Sequence, residues 1–507
     1  MRRARLATFV GLVALVALAR GAAAQESLDE IAGAGANSTS SSTAKTVEVN
    51  GYVSNRLSYT HVDPGISPVW SGDTPSLSEL LEGNVQLKVH LGKTAFAYAD
   101  LSLFVQGGWL YYTRAPDGGR QDADDPNLPG NADVHDRPSL RPFITASELY
   151  VSWTPKSWLN LLVGRKRIVW GSGVAWNPMD VLNPPKDPTD PNLQRAGAWN
   201  LRVELPFEKF TVTALAAPAV LYSVSGIPSS VLKYPDYPFA EAKAGLIPDA
   251  RDDAFHYLLA ARLYALVFDA DVNLVYYFSN RFQDGFENHS RVGFSFSRYF
   301  FTDYELHVEA MFQQGSARSF VDHGCITGGA CASPQAMLGT SKLDSKTIYP
   351  RVLVGFRTMF KDESTLSIEY YYQGDGDSDL EFEDRVRALK KLSQLIPLGV
   401  VQTGSLPARF GFDPLRRHYL IASFMKPRIK DDWTVSVAAL VGLRDLSGMI
   451  VPSVAWNAKE WLNLTLYGYV PIRWIPVGQA QVDGQSYSEF GLAPIDFRVM
   501  FEARAFY

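Results

Sequence analysis

The 507-residue chain has little cysteine, little net charge and few long hydrophobic runs. Its formal net charge of -5 gives no reason to expect a nucleic-acid partner, which requires a basic surface. After the N-terminal segment, no run approaches the roughly 20 apolar residues of a membrane-spanning helix, so a helical membrane bundle is excluded. Hydrophobic residues make up 46% of the chain, which also argues against disorder.

The two cysteines, Cys325 and Cys331, lie close together in a C-x5-C spacing. In an oxidising compartment such a pair predicts a local disulfide that pins a loop. The spacing matches no common zinc site, and only His323 lies beside it, so a metal site is disfavoured.

The N-terminus has the pattern of an export signal. Arg2, Arg3 and Arg5 precede an apolar segment over 6–18, and three alanines at 22–24 then provide a small-residue cleavage site. The following stretch is rich in Ala, Gly, Ser and Thr, which is typical of a flexible lead-in.

Period-two alternation recurs along the rest of the chain. It places apolar residues on one face and polar residues on the other in segments such as 83–91, 304–313, 366–372 and 462–470. Successive strand residues point to opposite faces, so each segment predicts an amphipathic strand. A water-soluble sandwich would show the same alternation.

The connections distinguish the two folds. Short links near 92–94, 155–157, 206–207, 301–302 and 361–363 alternate with long ones near 171–196, 218–252, 316–348 and 374–414. This rhythm is typical of bacterial transmembrane barrels, and a Greek-key sandwich has no reason to show it. We therefore predict an all-β chain forming one transmembrane antiparallel β-barrel of about 18 strands, with 16 possible, with short periplasmic turns and long extracellular loops. Its predicted regions are a signal peptide over 1–24, a flexible periplasmic lead-in over 25–45 and an outer-membrane barrel over 46–507.

The last amphipathic segment, 495–507, ends on the aromatic Tyr507. Closing a barrel requires this strand to pair with the first, because lipid tolerates no free strand edge. The ending resembles the C-terminal signature of outer-membrane barrels that the assembly machinery reads. The predicted partners are therefore outer-membrane lipid and that machinery.

Charged strand residues are expected to face the lumen, since Arg or Lys facing lipid at the bilayer midplane costs about 2–4 kcal/mol. Acids and bases are mixed in this set, which argues against strong ion selectivity. Its members are Lys88, Arg202, Glu204, Arg291, Glu305, Glu309, Arg357, Glu369, Arg498, Glu502 and Arg504.

A motif-rich stretch follows one predicted strand. It runs Gly164-Arg165-Lys166-Arg167, Trp170-Gly171, Asn177-Pro178-Met179-Asp180, Asn183-Pro184 and Arg195-Ala196-Gly197. The stretch resembles proteobacterial porin-like barrels, including alginate-export-like proteins and an uncharacterised family with a "GRQ…WG…NPxD…NP…R…G" pattern. The resemblance implies an outer-membrane barrel. Lys166 replaces the expected Gln, which leaves the substrate open.

The loop over 171–196 is interpreted as folded inward. Its Asn-Pro and Pro-Pro steps favour turns, and Asp180 and Asp187 can pair with Arg165, Arg167 or Arg195. The functional interpretation is a constriction of the pore; the alternative is a structural brace whose charges satisfy one another.

Asp375, Asp377 and Asp379 begin like an EF-hand loop, but Leu380 and Val386 occupy positions that require Gly and Glu. No metal site is therefore predicted, and these carboxylates remain a weak calcium candidate. Apolar residues at helical spacing predict an amphipathic helix over 380–396. It would either close the mouth as a lid or stiffen the loop.

Catalytic motifs are absent: the sequence contains neither G-x-S-x-G nor HExxH. We therefore predict a porin-like channel without cofactor or catalytic residues, passing small polar solutes or an anionic polymer. The alternatives are a barrel enzyme acting on lipid or envelope material and a structural or adhesion barrel that uses its outer loops. The substrate, ion selectivity and oligomeric state stay open.

Overall fold

The computed structural model gives the fold over most of the strand-forming chain. It describes residues 46–62, 72–73, 77–108, 112–114, 120–121, 141–173, 175–183, 197–218, 257–283, 286–316, 321–328, 337, 347–395, 414–473, 475, 477–492 and 495–507.

Eighteen strands form one sheet, as predicted. In chain order they are β1 (Val47–Val62), β2 (Leu77–His90), β3 (Ala95–Gly108), β4 (Arg141–Lys156), β5 (Leu159–Lys166), β6 (Ala198–Pro206), β7 (Phe210–Pro218), β8 (Tyr257–Val267), β9 (Ala270–Gln283), β10 (Phe286–Phe300), β11 (Tyr304–Gln314), β12 (Ile348–Met359), β13 (Thr365–Gln373), β14 (His418–Ile429), β15 (Trp433–Gly442), β16 (Gly448–Lys459), β17 (Leu462–Ile472) and β18 (Ile495–Phe506). Two short hairpin strands, Ala480–Val482 and Gln485–Tyr487, form a separate sheet.

The sheet closes between its first and last strands. β1 pairs antiparallel with β18 from Tyr52 opposite Phe506 down to Val62 opposite Ile495. The terminal Tyr507 continues this ladder, since its N–H donates to the Gly51 carbonyl at 3.0 Å. The predicted closed antiparallel barrel and its strand count are therefore confirmed.

The two ends of the barrel carry different connections. At the end where β1 begins and β18 finishes, strands are joined by 91–94, 157–158, 207–209, 268–269, 301–303, 360–364, 430–432 and 460–461. At the other end the links are 63–76, 109–140, 167–197, 219–256, 284–285, 315–347, 374–417, 443–447 and 473–494. The assignment of these ends to periplasm and exterior stays a prediction.

The alternation of side chains gives the two faces of the barrel wall different polarity. On β3, Leu101 and Leu103 point outward with exposed fractions of 42% and 49%. The intervening Asp100 and Ser102 are buried inside, where the Asn84 amide of β2 donates to both of them. The outer face is therefore apolar and the inner face largely polar.

The described parts of the long connections contain two α-helices. Helix α1 spans His323–Gly328, and helix α2 spans Asp379–Leu395, which confirms the predicted amphipathic helix. Ser378 and Glu381 form a capping box at its start, each side chain accepting from the other's backbone N–H. The apolar face of α2 packs against the short hairpin in a cluster of Phe382, Val386, Leu389, Leu392, Ala480, Val482, Tyr487 and Leu492. No helix in the described ranges is long and apolar enough to cross a membrane.

Candidate functional site

The segment that leaves β5 folds onto the inner face of the barrel wall. We call residues 167–173 and 175–183 the inner segment. Its first apolar group is buried against inward side chains of β7, β8, β9 and β11. The contacting set is Ile168, Trp170, Met179 and Leu182 of the segment with Leu215, Ala217, Ala260, Val275, Tyr277 and Met311 of the wall.

The middle of the inner segment packs on the next arc of the wall. The Trp176 ring lies 5.2 Å from the ring of Tyr371 on β13 and 5.0 Å, edge-on, from that of Tyr419 on β14. The surrounding cluster extends through Leu353, Ile421, Leu440, Met449, Val451, Tyr469 and Phe490. The segment is therefore supported by strands from β7 round to β17.

Polar anchors fix the backbone of the inner segment. Glu309 of β11 accepts hydrogen bonds from the N–H of Ser172, from the Ser172 hydroxyl at 3.1 Å and from the N–H of Gly173 at 3.0 Å. The Tyr277 hydroxyl donates to the Met179 carbonyl at 2.9 Å. These bonds satisfy backbone groups that would otherwise be buried without partners.

The segment also closes on itself. The Asn183 amide accepts from the Ile168 N–H at 3.2 Å and donates to the Ile168 carbonyl at 2.6 Å. Asn183 donates as well to Asp180 at 2.5 Å. The two ends of the segment are therefore joined at the wall.

The structure describes only some of the charged residues predicted to pair with one another in and beside this loop. Arg165 is fully buried, and the Arg167 N–H donates to Glu148 at 2.9 Å. Asp187 and Arg195 lie outside the described residues. The predicted pairing of these aspartates with these arginines stays a prediction.

The predicted lumen charges on β10–β13 form a connected group. Arg357 lies 3.2 Å from Glu305, and His307 lies 3.1 Å from Glu369 and 3.6 Å from Glu305. Arg291 lies on the same inner face and faces Gln313 of β11 in the strand register.

A second group lies on β1, β2 and β18. It contains the ion pairs Lys88–Glu48, Arg56–Glu502 and Arg504–Glu502, and a bond from Arg498 to Thr60. A separate ion pair, Arg202–Glu204, lies on β6. Sequence reasoning missed Arg56, Glu82 and Asp100, which occupy inner positions of β1, β2 and β3. The same alternation would have identified them had it been followed into those strands.

The three aspartates of the calcium candidate each bind arginine. Asp375 lies 3.1 Å from Arg351, Asp377 lies 2.6 Å from Arg385, and Asp379 binds Arg416 and Arg444. The Arg444 hydrogen bonds hold the pKa of Asp379 below its usual range. Among the described residues no three acidic, histidine or cysteine side chains are grouped to hold a metal ion.

Charged residues from three connections meet at one end of the barrel, where Arg416, Asp445 and Glu489 are buried and Asp379 is exposed. We define the acid cluster as Asp379, Arg416, Asp445 and Glu489. Arg416 is 3.9 Å from Asp445, and the Glu489 N–H donates to Asp445 at 2.7 Å. Burial, together with the Asp445 charge, raises the pKa of Glu489 to about 7.

The cysteines and histidines complete the set of reactive groups. Cys325 is buried in α1, whereas Cys331 lies outside the described residues, so the disulfide stays a prediction. His90 and His323 bind the carboxylates of Glu48 and Asp384. His418 of β14 lies 2.7 Å through its Nδ1 from the hydroxyl of Tyr370 on β13.

Comparison with known proteins finds solved structures of similar fold but assigns the chain to no family. No family model matches the chain, and no curated protein matches it. Solved structures that resemble it include Salmonella typhi OmpF in complex with daunomycin (8% identity, 91% of this chain and 97% of that one, TM-score 0.39). Others are Pseudomonas aeruginosa OccK7 (9%, 91% and 98%, 0.45) and Acinetobacter baumannii OccAB2 (10%, 90% and 98%, 0.46). With every TM-score below 0.5, the barrel assignment rests on the strand pairing, and the resemblance to alginate-export-like proteins is not confirmed.

Proposed function

We propose that the chain is an outer-membrane channel that passes small polar solutes through a lumen narrowed by the inner segment. The observation that carries this proposal is a closed wall with large apolar side chains outside and paired charges inside. An aqueous path through lipid needs these two faces.

The outer face favours a lipid environment. Large apolar side chains such as Leu103, Val163, Leu274 and Phe294 are exposed at alternate positions around the barrel. Soluble monomers seldom expose contiguous apolar patches beyond a few hundred Å². An apolar band of this kind is typical of outer-membrane barrels.

The inner face favours water. The Lys88 and Arg357 side chains keep about a third of their surface accessible, at 36% and 34%, although both are paired with glutamates. Ion pairs in a dry interior carry a large desolvation cost, which access to water relieves. A barrel of this strand number holds an aqueous channel unless other segments fill it.

The contacts of the inner segment support the proposed narrowing. It is held on the inner wall by Glu309, Tyr277 and the aromatic pair around Trp176. A segment in this place reduces the free cross-section on that side of the lumen. The segment supports a constriction more directly than a loop brace, since its anchors lie on the wall it covers.

Planar-bilayer recording tests the proposal. The purified folded protein is expected to produce discrete openings, and a variant with residues 171–183 replaced by a short Gly-Ser linker is expected to show larger unitary conductance. Absence of any opening in the wild type would refute the channel. Equal conductance of the two proteins would refute the narrowing alone.

Trp176→Ala gives a finer test of the same contact. Removing the ring deletes its packing on Tyr371 and Tyr419, so the open level is expected to rise or fluctuate more. Trp461→Ala, in the exposed turn between β16 and β17, is the matched control and is expected to conduct like the wild type.

The proposal includes export and maturation. We infer cleavage of the signal peptide after Ala24, insertion into the outer membrane through the Tyr507 strand and formation of the Cys325–Cys331 disulfide. Mass measurement of the protein from isolated outer membranes is expected to give a chain that begins at Gln25, and two mass units should be gained on reduction. A chain retaining residues 1–24 would contradict the cleavage.

A further inference from the structure

We infer that the outer connections form a pH-responsive cover over the channel, released when Glu489 ionises beside Asp445. This inference rests on the proposed channel function. The cover consists of α2, the short hairpin and the segments 414–417, 443–447 and 488–492.

Glu489 is central to the hydrogen bonds that hold these pieces together. Its carboxyl group accepts from the Leu415 N–H at 2.7 Å and from the Tyr419 hydroxyl at 2.8 Å. Its own N–H donates to Asp445, which also accepts from the Ser447 N–H at 3.0 Å and the Ser447 hydroxyl at 2.8 Å. Glu489 thus bridges three connections through its carboxyl group and its backbone N–H.

The charges around Glu489 favour its neutral form. Arg416 is the nearby cation, but its guanidinium also binds Asp379 and lies 3.9 Å from Asp445. Arg385 of α2 faces the same site but makes two bonds to Asp377, at 2.6 and 2.9 Å.

Other charged groups of the cover are engaged with different partners. On neighbouring elements, Glu381 pairs with Arg417, Arg444 with Asp379, Lys390 with Asp483, and Arg473 with Asp496. Ionised Glu489 therefore adds a third carboxylate around one largely shared arginine. Glu489 and Asp445 are both buried, so a second negative charge beside Asp445 is unfavourable, although Asp379 is exposed.

The cover is physically connected to the inner segment. The Tyr419 hydroxyl binds Glu489, and the Tyr419 ring lies edge-on against Trp176. Phe490, the residue after Glu489, packs in the same cluster as Trp176. Loosening of the 488–492 segment would therefore weaken the contacts that hold the inner segment on the side facing the cover.

The direction of the response follows from these contacts. Glu489 is neutral below about pH 7 and charged above it. The cover is therefore expected to be closed in mild acid and to open as the pH rises. A single titrating proton limits the change in the open-to-closed ratio to about tenfold per pH unit.

Bilayer recording of the whole protein across this range is the test. Open probability of the wild type is expected to rise between pH 4.5 and 7 and to level off above that range, because the Glu489 pKa is about 7 in the closed cover and returns to its ordinary value on release. Glu489→Gln, which keeps an amide oxygen for the Leu415 N–H, is expected to stay closed over the whole range. Asp432→Asn, an acid-to-amide change in the exposed turn between β14 and β15 at the opposite end of the barrel, is the control and should keep the wild-type profile.

The outcomes separate the cover from the channel. A wild type that conducts equally at all pH values, or a Glu489→Gln variant that responds like the wild type, overturns the cover while leaving the channel intact. If Glu489→Gln does not fold, the wild-type profile still decides. Absence of conductance at every pH refutes the channel function itself.

Discussion

The contact between Glu309 and the inner segment gives the sharpest prediction. Glu309→Ala removes a buried carboxylate that accepts two backbone N–H groups and one hydroxyl. A hydrogen bond to a charged group contributes about 1.5–3 kcal/mol, and a buried donor left unpaired costs about 1–3 kcal/mol. Relief of the carboxylate's own desolvation offsets part of the sum, so we expect a net loss of about 3 kcal/mol in docking of the segment.

This loss predicts a measurable change in conductance. At about 1.4 kcal/mol per factor of ten, docking weakens roughly a hundredfold. Single-channel traces of Glu309→Ala should therefore show excursions to a higher level, corresponding to the undocked segment. Glu309→Gln keeps one amide oxygen as acceptor and should fall between the alanine variant and the wild type.

A matched variant on the same strand provides the control. Gln313→Ala also removes a buried polar side chain from the inner face of β11, but its amide donates to the Gly315 carbonyl rather than to the inner segment. It is expected to leave the open level unchanged. Identical traces for Glu309→Ala, Gln313→Ala and the wild type would refute the reasoning that Glu309 holds the segment in place.

Three further predictions concern stability. Leu101→Arg, facing outward in the middle of β3, should lower folding stability in vesicles by about 2–4 kcal/mol, whereas Val47→Arg at the start of β1 should cost about 0–1, measured by urea titration. Gly51→Ala should reduce the folded fraction on unheated gels, because the added Cβ would collide with the Asn84 carbonyl and the Tyr507 hydroxyl. Gly83→Ala places its Cβ in open space and should leave the folded fraction unchanged. An equal loss in both variants would contradict this packing. Burial raises the pKa of Glu489 from 4.5 to about 7, so the cover should be most stable below pH 4.5 and should lose about 3 kcal/mol of stability as the pH rises through 7. Hydrogen exchange of α2, corrected for intrinsic rates, measures this stability, and exchange that does not depend on pH would contradict the prediction.

Local patterns were enough to predict the wall. Alternation over β11 placed Glu305, His307 and Glu309 on one face, and the structure buries all three inside. The helical spacing of Phe382, Val386, Leu389 and Leu392 likewise predicted α2. These predictions succeeded because a strand or helix repeats its environment at a fixed period.

The partners of these side chains could not be read from the chain. Asp375, Asp377 and Asp379 suggest a cation loop by spacing, yet each of them binds arginine. Two of these arginines belong to the same connection, but Arg351 comes from β12 and Arg444 from the connection between β15 and β16. No sequence motif pointed to Glu489, because Asp445, which lies beside it in space, comes from another connection. Contacts between loops depend on how the barrel brings its ends together, which no local period encodes.

The amino-acid sequence by itself determined that the chain forms a closed amphipathic cylinder, because the apolar faces of its strands and its aromatic last strand leave no other way to satisfy every edge. Only the tertiary structure decided what lies inside. The anchoring of the inner segment by Glu309 and Trp176, and the burial of Glu489 beside Asp445, arise from residues far apart in the chain that meet only after the barrel has closed.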